Sequence, residues 1–340
     1  MNTIKLSICI PVYNFGAFIG ETLESIIPQA SDEVEIVVVD GASTDNTPEV
    51  IHGLQQKFPR LNYFRLPKKG GIDRDMAKTV EFAQGEYCWL FGGDDIMRDG
   101  SIQRVLAEIK HSCDIYLCES ILCNKDMSPI MKHNILNSKT ERIFNLSNDV
   151  DRKAYFSLAN NSAAFFSFCS ALIIGKSRWD PIVIDDSFYT TCWAHAARIF
   201  GMMKNGLVIK YLSEPLLLKR GENDSFMDKG LIHRCSIAID GYTKIADTYF
   251  AHDSGEAFHI RRALRNEWPL GAFLSLKIIV DSSGQLIQRE IFDSLALKLF
   301  SEQSILNRLG FIIYRYTPVS ILRFVKLLMD TYKRIRAEIK

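Results

Sequence analysis

No stretch of the chain reaches the ~18 uninterrupted apolar residues that would span a bilayer. No C-x-x-C pair occurs, and Cys113, Cys118 and Cys123 lack zinc spacing, so the 8 cysteines read as reduced, mostly buried thiols. There is no excess of either charge: 41 Lys and Arg against 40 Asp and Glu leave a net +1, which gives no overall field to hold a nucleic-acid backbone. The G-x-x-x-x-G-K-[ST] loop is missing, which excludes a P-loop enzyme, and no G-x-G-x-x-G follows the first strand, which argues against a dinucleotide-binding dehydrogenase. The start, MNTIKLSICIPVYN, lacks the basic end, long apolar run and cleavage site of a signal peptide, so a cytoplasmic protein is expected. Repeats and low-complexity tracts are also lacking.

What the chain does have is the composition of a globular protein, 47% apolar and 24% charged over 340 residues. Its first third alternates between strand and helix periods. Leu6 to Val12, Glu35 to Val39, Leu61 to Leu66 and Tyr87 to Phe91 read as strands, and the β-branched run EIVVV is typical of one covered on both faces. Helices are expected over Ala17 to Ile27, from Thr47-Pro48-Glu49 and over Ile72 to Ala83. That alternation predicts an α/β fold with a mostly parallel sheet and right-handed crossovers. Further on, Ser101 to His111 reads as helix, Asp114 to Leu122 as strand, 124 to 150 as a long loop or lid, Phe165 to Ile174 as β-like and Thr191 to Lys204 as helix. Leu207 to Leu218 reads as extended, and everything from Leu231 onward as helical.

Ligands of open parallel sheets bind at the carboxyl ends of the strands. Three such ends carry polar clusters: Tyr13-Asn14, Asp40 with the turn after it, and Asp94-Asp95 after YCWLFGG. Any one of them could be an ordinary turn or helix cap, but turns do not require paired carboxylates straight after a buried strand. Adjacent carboxylates beside glycines suit a hard divalent cation, Mg²⁺ or Mn²⁺, which keeps water and bridges to substrate phosphates.

The runs SICIPVYN, EIVVVDGASTDNT and KGGIDRDMAKTVEFAQGEYCWLFGGDD, in this order and spacing, resemble the nucleotide-binding half of glycosyltransferase family 2, inverting enzymes of GT-A fold. The resemblance covers residues 4 to 110 strongly and 160 to 226 loosely. It implies a nucleoside-diphosphate sugar donor, UDP-linked first, with Pro11 and Tyr13 lining the base pocket and Asp40 accepting a hydrogen bond from the base. Gly41 stands where many members have a second Asp. Asp73 lies on the helix whose start faces the nucleotide, where GIDRDMAKT departs from the more usual wording and sets its acids at Asp73 and Asp75. Asp94 is the implied metal ligand, Gly92 replaces the first Asp of D-x-D, and Asp95 is set to face the acceptor. The family's base lies near the start of a helix that ends in Gly about eleven residues later. Counting back from Gly206 reaches His195, with Asp186 of IDDSF second. RGENDSF resembles the family's late diphosphate loop, which makes Arg220 and Asn223 phosphate-binding candidates. GEYCWLFGGDD with RGENDSF is closest to the O-antigen sugar transferases, including abequosyltransferase-like members.

The resemblance therefore implies transfer to a hydroxyl of a glycan acceptor linked to a polyprenyl diphosphate. The expected division is 1–110 for the donor half, 111–230 for the acceptor half and 231–340 for a helical extension. Residues 301–340 hold eight Lys or Arg and three acids among interleaved apolar residues. Such a basic amphipathic stretch can lie on an anionic membrane, placing the protein on the inner face, or pack against its own domain or a second subunit. Two rivals stay open here. One is a degenerate member that binds nucleotide or glycan without turnover. The other is a sugar-nucleotide pyrophosphorylase, whose G-x-G-T-R-L-type loop PVYNFGAF lacks.

Overall fold

A computed structural model describes residues 3–300 and 304–338. The chain forms two compact units, Met1–Asp224 and Ser225–Lys340.

In the first unit, β1 (Leu6–Val12) and β2 (Val34–Asp40) are buried at every residue; both are mostly apolar, and Ser7 of one donates to Glu35 of the other at 2.6 Å. The strands β3 (Leu61–Arg65) and β4 (Tyr87–Leu90) complete a parallel set in the order β3-β2-β1-β4. Crossover helices α1 (Ile19–Ile26), α2 (Thr47–Gln55) and α3 (Ile72–Phe82) connect them. Each starts just past the carboxyl end of a strand, and α3 lies against β1 and β2.

The sheet continues with β5 (Ile96–Met97), β6 (Ile115–Cys123), β9 (Leu172–Gly175) and β10 (Val208–Lys219), in the full order β3-β2-β1-β4-β9-β6-β10-β5. Here β9 runs antiparallel to both β4 and β6, so this half is mixed rather than parallel. The helices α4 (Ser101–Glu108), α5 (Asp149–Leu158), α6 (Lys176–Trp179) and α7 (Ala194–Met202) accompany it.

Two expectations need correction. The segment 124–150 is not a plain loop: it holds β7 (Pro129–His133), paired with β6, and β8 (Arg142–Asn145), paired with β10, and it runs into α5. Both strands are mostly exposed, so they lack the apolar alternation that marks a half-buried strand. Phe165 to Ile174 is strand only from Leu172. Its apolar residues before that fill buried 3-10 turns at Ser162–Phe165 and Cys169–Ala171, so burial, not pleat, explains its composition.

The second unit is α8 (Leu231–Tyr249), α9 (Gly255–Glu267), α10 (Leu270–Ser283), α11 (Leu286–Phe300), α12 (Ile305–Tyr316) and α13 (Val319–Glu338). Phe273 of α10 and Phe292 of α11 stack at 4.8 Å, and the Tyr314 hydroxyl of α12 donates to Asp293 at 2.7 Å. Among the described residues no helix is long and apolar enough to cross a membrane.

Candidate active site

The loops after β1 and β2 are tied together by the side chains of the GASTDNT turn. The Asn14 amide donates to Ser43 Oγ at 2.9 Å, the Thr44 amide to Asn14 Oδ1 at 2.8 Å and the Gly16 amide to Asp45 Oδ2 at 3.0 Å. Asn14 and Ala42 take φ of 58° and 65°, left-handed values that this network holds. Most of the motif's polar groups therefore build the cleft wall. Tyr13 is half-buried at its rim, with the Lys69 ammonium 3.6 Å from its ring centre. Pro11 is buried inside β1, opposite Val39. Asp40 is fully buried: its Oδ1 accepts from the Ser43 amide at 2.7 Å and its Oδ2 from the Tyr63 hydroxyl at 2.6 Å.

Register fixes the second carboxylate cluster. Leu90 of β4 pairs with Leu172 of β9, which sets Ser170 opposite Gly92, and Leu218 of β10 pairs with Ile96 of β5, which sets Arg220 opposite Asp94. The Gly92 amide accordingly donates to Ser170 Oγ at 2.8 Å, and that hydroxyl donates to Asp95 Oδ2 at 2.5 Å. The Arg220 amide donates to Asp95 Oδ1 at 3.1 Å, and Asn223 Nδ2 donates to Asp94 Oδ2 at 2.7 Å. Among the described residues, Asp94 Oδ1 is the carboxylate oxygen of this pair left without a hydrogen-bond partner. Burial raises both acids. The neighbouring Asp94 charge adds to it at Asp95, which is pushed up to about 7, while Asn223 and Arg220 oppose it at Asp94.

A cation fits this arrangement. A Cβ at Gly92 would lie 3.0 Å from Asp95 Oδ2, 3.2 Å from Asp94 Oδ1 and 3.2 Å from Ser170 Oγ, so three oxygens converge beside the glycine. A buried carboxylate beside a half-buried one, both with raised pKa values, is what a divalent ion would relieve. Among the described residues no three His, Cys, Asp or Glu side chains form a complete cage, so water and ligand oxygens would have to finish the coordination.

The remaining candidates separate. Arg220 is buried and its guanidinium is spent on protein: Nε donates to the Asp94 carbonyl at 2.9 Å, Nη1 to the Lys125 carbonyl at 2.6 Å and Nη2 to Glu21 at 2.5 Å. Asp73 is also engaged, with Oδ1 accepting from the Ala194 amide at 2.9 Å and Oδ2 from the Cys192 amide at 2.8 Å, so α3 caps the start of α7. His195 sits in that first turn of α7, buried, with Nε2 donating to the Phe166 carbonyl at 2.8 Å. Burial lowers its pKa to about 4, against that hydrogen bond. Asp186 is exposed, in a 3-10 turn (Asp186–Thr190) that packs on α3 and α7. Sequence reading missed Ser170, Lys69 and Tyr63, which are ordinary residues until strand pairing brings them to the cleft.

The chain is similar to the abequosyltransferase RfbV of Salmonella typhimurium, 29% identical over 94% of this chain and 97% of that protein. It is 33% identical to the chondroitin synthase of Pasteurella multocida over 30% of this chain and 11% of that one. Among solved structures, S. aureus TarS 1-349 in complex with UDP-GlcNAc superposes with a TM-score of 0.62 at 17% identity, covering 97% of this chain and 92% of that chain. The mannosyltransferase PcManGT of Pyrobaculum calidifontis, in complex with GDP-Man and Mn2+, gives 0.51 at 16% identity over 97% and 88%. The family described as Glycosyl transferase family 2 matches residues 7–187, and the chain belongs to that family.

Proposed function

We propose that this glycosyltransferase moves a sugar, with inversion, from a nucleoside-diphosphate sugar to a hydroxyl of a glycan acceptor carried on a polyprenyl diphosphate, in surface polysaccharide of the O-antigen type. The observation that carries the reading is the Asp94–Asp95 pair, held by two strand registers beside the ends of β1 and β2. Similarity to an abequosyltransferase over nearly its whole length supports the O-antigen setting. Asp94 would hold Mg²⁺ or Mn²⁺ through Oδ1, with Asn223 orienting the carboxylate. When bound, the ion supplies charge neutralisation for the departing diphosphate. Gly92 argues against a degenerate site, because the packed oxygens around it leave little room for a side chain there.

In the displacement, the acceptor oxygen bonds to the anomeric carbon as the bond to the diphosphate breaks. The diphosphate leaves with the electron pair, and the acceptor proton goes to a protein base. We assign that base to Asp186 rather than His195. His195 is buried and its Nε2 already donates to the Phe166 carbonyl, so that nitrogen is not free to take the proton, whereas the Asp186 carboxylate is exposed. His195 instead anchors the Phe166 carbonyl. Replacing Asp186 with Asn should lower turnover about 10²-fold or more and leave donor affinity unchanged. His195→Ala should mainly lower the melting temperature. If His195→Ala alone removes turnover at unchanged stability, the assignment is reversed. The wider reading is tested by incubating the protein and Mn²⁺ with UDP-, CDP-, dTDP- and GDP-sugars. Release of free nucleoside diphosphate from one of them is expected, and none from any would sink it.

The tail supports membrane docking. Helix α12 buries Gly310 and Tyr314 but exposes Ile305, Leu309, Ile312 and Tyr316, spaced as one helical stripe. Helix α13 repeats this with Ile321, Phe324, Val325 and Leu328. Arg308 and Lys326 are exposed on these helices, while Arg315 and Arg323 pair with Asp293 and Asp281. Of the basic residues expected to contribute, Lys340 lies outside the described residues. Leu309→Asp with Ile312→Asp should reduce cosedimentation with phosphatidylserine-containing vesicles about tenfold or more. Equal binding by wild type and variant, or equal binding of wild type to neutral vesicles, would count against an anionic lipid partner.

A further inference from the structure

The sequence points to Asp40 as the carboxylate that meets the nucleobase, yet both of its oxygens are already used, by the Ser43 amide and the Tyr63 hydroxyl. A second acid stands beside it. Asp75, in the first turn of α3, is only 3% exposed, and among the described residues its Oδ1 is buried without a hydrogen-bond partner. Buried carboxylates are normally partnered, because an unpaired one forfeits its hydration for nothing.

Two glycines make room for this side chain. A Cβ at Gly41 would lie 2.5 Å from Asp75 Oδ2, and one at Gly70 would lie 2.4 Å from Oδ1. The Gly41 amide donates to the Val12 carbonyl at 2.9 Å, so the carboxylate sits where β1 and β2 end, one residue before Tyr13. It fills the volume that a side chain at position 41 would take. An acid absent from the β2 turn is thus supplied from α3.

Given the donor-binding reading above, on which this rests, we propose that Asp75 is the specificity residue for the donor's base: its carboxylate accepts a hydrogen bond from an N–H on the pairing edge of a pyrimidine, with Gly41 kept small to admit it. Asp40 then acts as a positioning residue that fixes the turn. Burial pushes the Asp75 pKa up to about 6, helped by Asp40 and opposed by Lys69 and the Gly70 and Gly71 amides, so at pH 7.5 the group is mostly an ionised acceptor.

Calorimetric titration with UDP and CDP, in Mn²⁺ at pH 7.5, tests this. Asp75→Asn should weaken the better-bound of the two about 10- to 100-fold, the value of one charge-assisted hydrogen bond, and leave pyrophosphate binding unchanged. Its melting temperature should hold or rise, since a buried carboxylate with one oxygen lacking a hydrogen bond has been made neutral; a purely structural role would lower it. Gly41→Ala, which drives a methyl into Asp75 Oδ2, should reproduce the loss with the helix content intact. UDP and CDP binding within twofold of wild type in Asp75→Asn would overturn the proposal, and a preference of wild type for GDP would overturn its pyrimidine part. Binding of pyrophosphate with Mn²⁺ but of no nucleoside diphosphate would also overturn it while leaving the metal site standing. Binding of neither would sink the donor-site reading as well.

Discussion

Alanine at Asp94 should cut turnover by about 10³-fold or more, equivalent to roughly 4 kcal/mol of transition-state stabilisation. The size follows from what stands around the residue. Asp95 has both oxygens bound, one by Ser170 and one by the Arg220 amide, so it cannot easily turn to replace its neighbour. Asp94 Oδ2 is held by Asn223, which among the described residues leaves Oδ1 as the pair's oxygen without a hydrogen-bond partner, open to an ion. Asp94→Asn is the sharper variant, because it keeps the shape and removes the charge. It should show nearly the same loss, together with a large rise in the Mn²⁺ concentration needed for half-maximal rate. The variant should also be no less stable than wild type at pH 7.5. Burial raises the Asp94 pKa, so the ionised group opposes folding above its ordinary titration range, and a neutral amide relieves that cost. Retention of more than about a tenth of the rate in either variant would remove Asp94 from the metal site, since charge neutralisation of the leaving diphosphate is worth more than that.

The first third of the chain was the legible part because its signals are local. Mostly apolar runs over β1, β2 and β4 announce buried parallel strands, and polar residues at or shortly after their ends (Tyr13-Asn14, Asp40, Asp94-Asp95) mark the ligand end. What each carboxylate does was not legible. Whether Asp40 is free or spent depends on Tyr63, 23 residues away, and whether Asp94 is free depends on Asn223, 129 residues away. Those distances are closed by sheet pairing, which no local period encodes. The motif reading of Asp73 failed to anticipate its environment for the same reason, since its partners at Cys192 and Ala194 arrive from the far side of the sequence. Gly41 is the instructive case: in sequence it looks like a missing acid, and in space its lack of a side chain is what lets Asp75 in.

Arg220→Ala should have the second largest effect, and it separates two roles that sequence cannot. As a phosphate ligand, Arg220 would lower donor affinity when lost and leave the fold unchanged. The geometry assigns it to holding the site instead. Its guanidinium joins three pieces of chain: the Asp94 carbonyl, the Lys125 carbonyl and Glu21 of α1, with the Phe18 ring 5.2 Å away. Deletion leaves two carbonyls short of donors at a buried position. Glu21 adds little to the cost, because its side chain is 57% exposed and can return to water. The expected loss is about 2–4 kcal/mol, mostly from the orphaned carbonyls and the emptied volume. For a unit of this size that lowers the melting temperature by roughly 5–15 °C. Turnover should fall about 10²-fold at saturating donor, since the Asp94 backbone is no longer fixed. Lysine should recover less than half of the stability, because a tetrahedral ammonium cannot reproduce the planar fork that reaches all three partners. A variant that melts like wild type and loses only donor affinity would return Arg220 to the diphosphate and show that its contacts within the chain give way when substrate binds.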